Sequence, residues 1–174
     1  MRQITTKIIN DMKKGLMFFT LIGALALSNG VWAQTKVGGF FGYGSDVDQW
    51  GIGGIAEFGL NDKWAISPSL LFYFAESNSN YKYSWYEFNV NANYYFFKEG
   101  VANLYGIGGL NYIVSKSKEK FGDENSTSNG ELGLNLGMGS NFDIGKKILP
   151  FVEMKFVLGE ADQLGIFFGV KYSL

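Results

Sequence analysis

The 174-residue sequence has no cysteine, no histidine and only two prolines. Without cysteine there is no disulfide framework, no thiolate zinc site and no thiol nucleophile. Without histidine the usual general base at neutral pH is gone, along with the commonest metal ligand. Long apolar runs are also scarce. One stretch, from Gly15 to Leu27 and interrupted only by Thr20, falls short of the roughly 20 residues that a membrane-spanning helix needs. A mean hydropathy of +0.01 is too low for a bundle of such helices. What is abundant is glycine, at 24 residues, and aromatic side chains, at 17%. Average proteins carry only about 7% glycine, and disordered chains lack this aromatic content.

The first 33 residues read as an address. Arg2, Lys7, Lys13 and Lys14 stand against one acid, Asp11, and the apolar run follows. Ser28, Asn29 and Gly30 then lead to Val31-Trp32-Ala33. A basic lead, a short apolar stretch and a small residue at the cut are in signal-peptide order. Cleavage after Ala33 leaves a single domain, 34–174, of 141 residues with 11 basic and 15 acidic groups. A mildly acidic exported chain is a poor partner for nucleic acid.

In the mature part the apolar residues recur with period 2, the signature of strands. Leu164, Ile166, Phe168, Val170, Tyr172 and Leu174 share one face of the last segment. Leu132, Leu134, Leu136 and Met138 do so in 131–142, and Tyr86, Phe88, Val90, Ala92, Tyr94 and Phe96 in 85–96. Similar alternation marks 36–44, 50–60, 64–75 and 148–158. Segment 102–115 is a strand of ambiguous phase. The eight strands are joined by connections that alternate in length. Asn61-Asp62-Lys63, Lys98-Glu99-Gly100 and Gly145-Lys146-Lys147 are short, while 45–49, 77–82 and 116–129 are longer, with a smaller link at 159–162. In an up-and-down antiparallel sheet this puts clipped turns on one rim and loops on the other, as in transmembrane barrels.

Two sealed sheets fit such a chain. A membrane barrel is apolar outside, whereas a soluble lipocalin-type lipid carrier is apolar inside. The strands are long enough to cross a bilayer tilted, for which about 9–11 residues suffice. The polar face is rich in Gly, Asn and Ser and is too sparsely charged for a water-facing surface. Trp50, Trp64, Phe74, Tyr86, Phe96, Tyr112 and Tyr172 stand near strand ends, where interfacial aromatic girdles belong. These features select an all-β, eight-stranded antiparallel up-and-down transmembrane β-barrel.

The last strand makes the likeness specific. Gly169-Val170-Lys171-Tyr172-Ser173-Leu174 resembles the C-terminal assembly signal of outer-membrane barrels, with Gly169, Tyr172 and Leu174 in the matching positions. The whole mature chain resembles the OmpA/OmpX-like, porin-like β-barrel superfamily. That resemblance implies the cell outer membrane, with its lipids and the export and barrel-assembly machinery as partners. It implies a monomer with an envelope-structural or surface-interaction role, and a narrow porin or small-solute channel is the alternative.

Eight strands enclose a space just wide enough for side chains to fill, so the interior is expected to be plugged. Its acids would be Glu57, Glu87, Glu131 and Glu153, with Lys36, Lys155 and Lys171 as counter-charges. A buried ion costs several kcal/mol unless it is paired and hydrogen-bonded. These groups are therefore expected to form a network with Asn89, Asn91, Asn93 and Asn135.

Other motifs carry less. Gly51-Ile52-Gly53-Gly54 and Gly106-Ile107-Gly108-Gly109 open no helix and lack dinucleotide spacing. Asp46 with Asp48, and Asp123 with Glu124, lack the glycine and terminal glutamate of a calcium loop. The mixed-charge segment with Lys116, Lys118, Glu119 and Lys120 reads as a solvated loop. No spacing points to a Ser–Lys pair or a carboxylate dyad. The chain is therefore expected to be non-enzymatic, with no catalytic residues, metal or cofactor.

Overall fold

The computed structural model describes residues 35–74, 76–77, 81–119, 126–159 and 162–174. The expected leader, 1–33, and the loop residues Lys120, Asp123 and Glu124 lie outside them. The strands are β1 Thr35–Gly44, β2 Gln49–Gly59, β3 Trp64–Tyr73, β4 Glu76–Ser77, β5 Tyr81–Glu99, β6 Ala102–Glu119, β7 Ser126–Phe142, β8 Ile148–Gly159 and β9 Gln163–Ser173. All pairings are antiparallel, and they join chain neighbours except for β3 with β5 and the closing pair β1 with β9. The two-residue β4 rests on the end of β5, outside the ring. β1 pairs with β9 from Lys36↔Ser173 to Gly44↔Gly165, and this closes an eight-stranded barrel.

The alternation of side chains decides which face meets lipid. Leu132, Leu134, Leu136 and Met138 of β7 are exposed, as are Ile166, Phe168, Val170 and Tyr172 of β9. Their intervening neighbours Asn135, Phe167 and Lys171 are buried. An apolar exterior around a partly polar interior rules out the soluble carrier, which needs the reverse. Aromatic side chains pair across strands on the outer surface. Tyr43 meets Trp50 at 5.3 Å and Phe72 meets Tyr86 at 5.4 Å on the loop side, while Trp64 meets Tyr94 at 4.8 Å on the turn side. At the turn end of β5 a bulge between Tyr95 and Phe97 turns both Phe96 and Phe97 outward.

Turn chemistry fixes the short rim. The Asn61 side-chain oxygen accepts from the backbone N–H groups of Lys63 and Trp64 at 2.9 and 3.0 Å. Gly100 and Gly145 have φ of 63° and 72°, a left-handed conformation that favours glycine.

Two features depart from the sequence expectation, and one that it left open is resolved. The long connection 116–129 is mostly strand, because β6 continues to Glu119 and β7 begins at Ser126. Above the lipid both faces of a sheet are wet, so the hydrophobic alternation fades while the backbone ladder continues. The phase of 102–115 is settled, with Tyr105, Ile107 and Asn111 inward and Leu110 and Tyr112 outward. Its signal is inverted locally because Gly106 and Gly108 sit on the lipid side, where a Cβ would meet nothing within 4 Å.

The interior is also only half polar. Phe40, Ile55, Leu71, Tyr73, Phe151 and Phe167 form a buried cluster joined by Val47 from the β1–β2 loop. Phe40 packs edge-on to Phe167 and Phe151 at 5.9 and 6.3 Å. Gly42 and Gly165 make room for Phe167, since a Cβ on either would lie 2.6 or 2.5 Å from its ring.

The in/out assignment is tested at adjacent positions of β7. Leu134→Arg, on the lipid face, should cost about 2–4 kcal/mol of barrel stability. Asn135→Ser, on the inner face, should cost less. Urea unfolding in lipid vesicles reads both, and the reverse order would invert the barrel's faces.

Candidate functional site

The inward side chains form two polar layers, one above the other. The layer nearer the short turns is built around Glu57 of β2. Its carboxylate accepts from Lys36 Nζ of β1 at 2.6 Å, from Lys171 Nζ of β9 at 2.7 Å and from the Tyr95 hydroxyl of β5 at 2.6 Å. Lys171 also donates to Asn141 Oδ1 of β7 at 3.2 Å and lies 3.7 Å from Glu153 of β8. Glu153 accepts from the Tyr105 hydroxyl of β6 at 2.8 Å, and Asn141 Nδ2 donates to the Tyr95 hydroxyl at 2.7 Å. Every strand of the ring except β3 therefore supplies a side chain to this one layer. The glycines admit its bulk: a Cβ at Gly139 would lie 2.6 Å from the Tyr105 ring.

The second layer, toward the loops, centres on Glu87 of β5. Its carboxylate accepts from the Tyr73 hydroxyl at 2.5 Å, from Asn89 and Asn111 Nδ2 at 2.9 Å each and from Gln163 Nε2 at 3.3 Å. Asn135 Nδ2 bridges Asn89 and Asn91 Oδ1, both at 2.7 Å. Among the described residues this carboxylate is held by neutral donors. Several hydrogen bonds to a carboxylate satisfy it without a counter-ion, because each donor dipole points at the charge.

The residues expected from the sequence do not all join these layers. Lys36, Glu57, Glu87, Asn89, Asn91, Asn135, Glu153 and Lys171 do. Asn93 is buried, but among the described residues neither its amide nitrogen nor its oxygen has a partner. Lys155 is buried yet meets no carboxylate at ion-pair distance among the described residues. Its Nζ lies 4.2 Å from the Phe167 ring centre, a cation–π contact. Glu131 stands on the inner face but is only half-buried, because β7 runs on past the end of β8 at that level. Six contributors escaped the sequence reading: Tyr73, Tyr95, Tyr105, Asn111, Asn141 and Gln163. Tyr73 and Tyr95 share the parity of the inner face, which was the available signal. Asn141 and Gln163 share that parity too, whereas Tyr105 had no such signal, because the phase of its segment is ambiguous and an aromatic ring marks lipid, interface and plug equally well.

The mouth above the second layer is partly covered. Val47 is buried, and its loop is tied to β9 by Ser45 N–H to the Leu164 carbonyl and Leu164 N–H to Ser45 Oγ, at 3.0 and 2.9 Å. Asp48, with φ of 50°, accepts from the Tyr43 hydroxyl at 2.5 Å. No described group of His, Cys, Asp and Glu is arranged to hold a metal ion.

Residues 15–149 match the family model described as outer membrane protein beta-barrel domain. Among curated proteins, no sequence relative matches. Several solved structures are similar. The N-terminal β-barrel domain of Pseudomonas aeruginosa OprF aligns with a TM-score of 0.63 at 15% identity, covering 80% of this chain and 96% of that one. Neisserial surface protein A aligns with a TM-score of 0.60 at 14% identity, covering 80% and 96%. Ail, the attachment invasion locus protein of Yersinia pestis, aligns with a TM-score of 0.55 at 16% identity, covering 80% and 95%. Identities this low show a shared fold.

The turn-side layer makes a quantitative demand. Lys171→Met leaves the Glu57 and Glu153 carboxylates short of their shared cation, so it should cost about 3–5 kcal/mol. Lys36→Met should cost less, because the Lys36 side chain is 21% exposed and that of Lys171 is fully buried. Adding Glu57→Gln to Lys171→Met should recover part of the loss. Equal costs for the two lysines in urea unfolding would show that the layer is not a single coupled unit.

Proposed function

The chain belongs to the outer membrane protein β-barrel domain family and resides in the outer membrane, and from that premise we propose a non-enzymatic barrel closed by its own side chains that works through its loop rim. The observation that carries this reading is the turn-side layer. Hydrogen bonds run from Glu57 to Lys171, Tyr95 and Lys36, and on through Asn141, Tyr105 and Glu153. They cross the lumen from strand to strand, so a passing ion would have to break several charge-assisted bonds at once. A side-chain plug leaves the barrel as a rigid stake in the membrane, and chemistry is left to the surface that faces outward.

Residues 1–33 act in this reading as a cleaved export signal, and the protein is a monomer among outer-membrane lipids. The barrel-assembly machinery would recognise β9, the strand that closes the ring, through Gly169, Tyr172 and Leu174. The first two suit that strand's two faces. Tyr172 is exposed to lipid, and a Cβ at Gly169 would lie 2.6 Å from Phe40 Cβ inside.

Planar-bilayer recording tests closure. Purified folded protein should insert without discrete conductance steps. Well-resolved, ion-selective steps would overturn the closed-interior reading in favour of a narrow channel.

A further inference from the structure

β5, β6 and β7 outrun the rest of the barrel at the loop rim. β3 last pairs with β5 at Phe72↔Tyr86, and β8 last pairs with β7 at Gly133↔Gly159. Beyond these points β5, β6 and β7 continue as a flap, with the short β4 on its β5 edge at Glu76↔Tyr83 and Ser77↔Lys82. In it Tyr83 lies opposite Ser117, and Trp85 opposite Ser115, which in turn lies opposite Asn129. Ile113 lies opposite Glu131 one row below. By strand alternation Tyr83, Trp85, Ser115, Ser117, Asn129 and Glu131 continue the inner, concave face that carries Glu87 and Asn111.

On this face the Tyr83 and Trp85 rings are nearly parallel, at 19°, with centres 5.9 Å apart. Both residues are half-buried. Trp85 and Ile113 pack against the buried apolar cluster, so the indole is seated on a rigid support. Among the described residues, Ser115, Ser117, Asn129 and Glu131 make no side-chain hydrogen bond, unlike the amides of the layer beneath. By register this face carries three acids, Glu76 opposite Tyr83, Glu119 opposite Tyr81 and Glu131 opposite Ile113, and among the described residues no base; Lys116 lies on the opposite face, 5.2 Å from the Tyr86 ring.

We propose that this flap is a binding site for an uncharged saccharide chain. The inference rests on the reading that the loop rim is the working surface, and it names the class of partner. An aromatic face is electron-rich and attracts the positively polarised C–H groups of a pyranose ring. Hydroxyl, amide and carboxylate groups beside it match the sugar's ring of hydroxyls, as few polar groups on an apolar floor match other ligands. A stacked pair offers a sugar an outer ring face, whereas a quaternary ammonium calls for several faces that surround it. Carboxylates with no described base beside them turn away sulfated or phosphorylated chains.

The test uses the barrel in phosphatidylcholine nanodiscs, free of sugar-bearing detergent. Chitohexaose and maltohexaose are titrated against a heparin hexasaccharide, with tryptophan fluorescence and calorimetry as readouts. At least one uncharged hexasaccharide should bind saturably and more tightly than heparin. Trp85→Ala should weaken that binding at least tenfold, Asn129→Ala should weaken it measurably, and Trp50→Ala, on the lipid side, should leave it unchanged. Should Trp85→Ala fail to show heat-modifiable mobility, Asn129→Ala decides. No saturable binding of either uncharged chain, a preference for heparin, or a folded Trp85→Ala that binds normally would overturn the proposal. Conductance separates the two readings: a conducting barrel that still binds through Trp85 sinks only the closed interior, and a silent barrel that binds no sugar sinks only this site.

Discussion

Hydrocarbon offers no partner to a peptide N–H or C=O, and every other feature of this barrel answers to that demand. A sheet in lipid must bond all its edges internally, so it must close. Closure with eight strands sets a narrow bore. A narrow bore cannot hold bulk water along its length, so the side chains that point inward must satisfy one another. The lipid-facing residues are left free to be merely apolar, and β7 and β9 alternate with little exception. The inner residues are not free in this way, and glycine recurs among them wherever Phe167, Tyr105 or Phe40 needs space.

The interior solves its electrostatics in two different ways. Around Glu57 it uses cations, and Lys171 is shared between two acids that lie three strands apart around the ring. Around Glu87 it uses phenol and amide donors. The first arrangement ties distant strands together through charge, and the second does so through a lattice of amides that reaches from β5 to β7. Between them Lys155 leans on an aromatic face. An ammonium over a ring keeps part of the stabilisation that a carboxylate would give, and the Phe167 ring is itself locked by Gly42 and Gly165.

How much of this was legible in the residues depended on what each position had to satisfy. Strand number, rim asymmetry and the direction of the apolar face follow from period 2, because lipid imposes that pattern without exception at Leu132, Leu134 and Leu136. The upper reach of β6 and β7 was invisible, since Lys116 and Ser128 answer to water on both sides and need no alternation. In 102–115 the pattern misleads for the opposite reason: Gly106 and Gly108 face lipid while Tyr105 and Ile107 face inward. The acids and amides of the bore were readable one by one. Which of them touch was not, because contact depends on shear around the ring. Asn93 and Asn135 have the same parity and the same chemistry, yet among the described residues only Asn135 finds neighbours.

The pairing of β1 with β9 has a kinetic side. It joins Lys36 to Ser173, almost the greatest sequence separation that the domain contains. All other ladders of the ring join segments that follow one another directly along the chain. They can zip up locally, whereas this seam must wait until the final strand arrives, and loop-closure entropy makes such distant contacts slow. Until then two raw edges stand open, each able to pair with a neighbouring molecule. The seam is thus the step that commits the polypeptide to being one molecule instead of part of an aggregate.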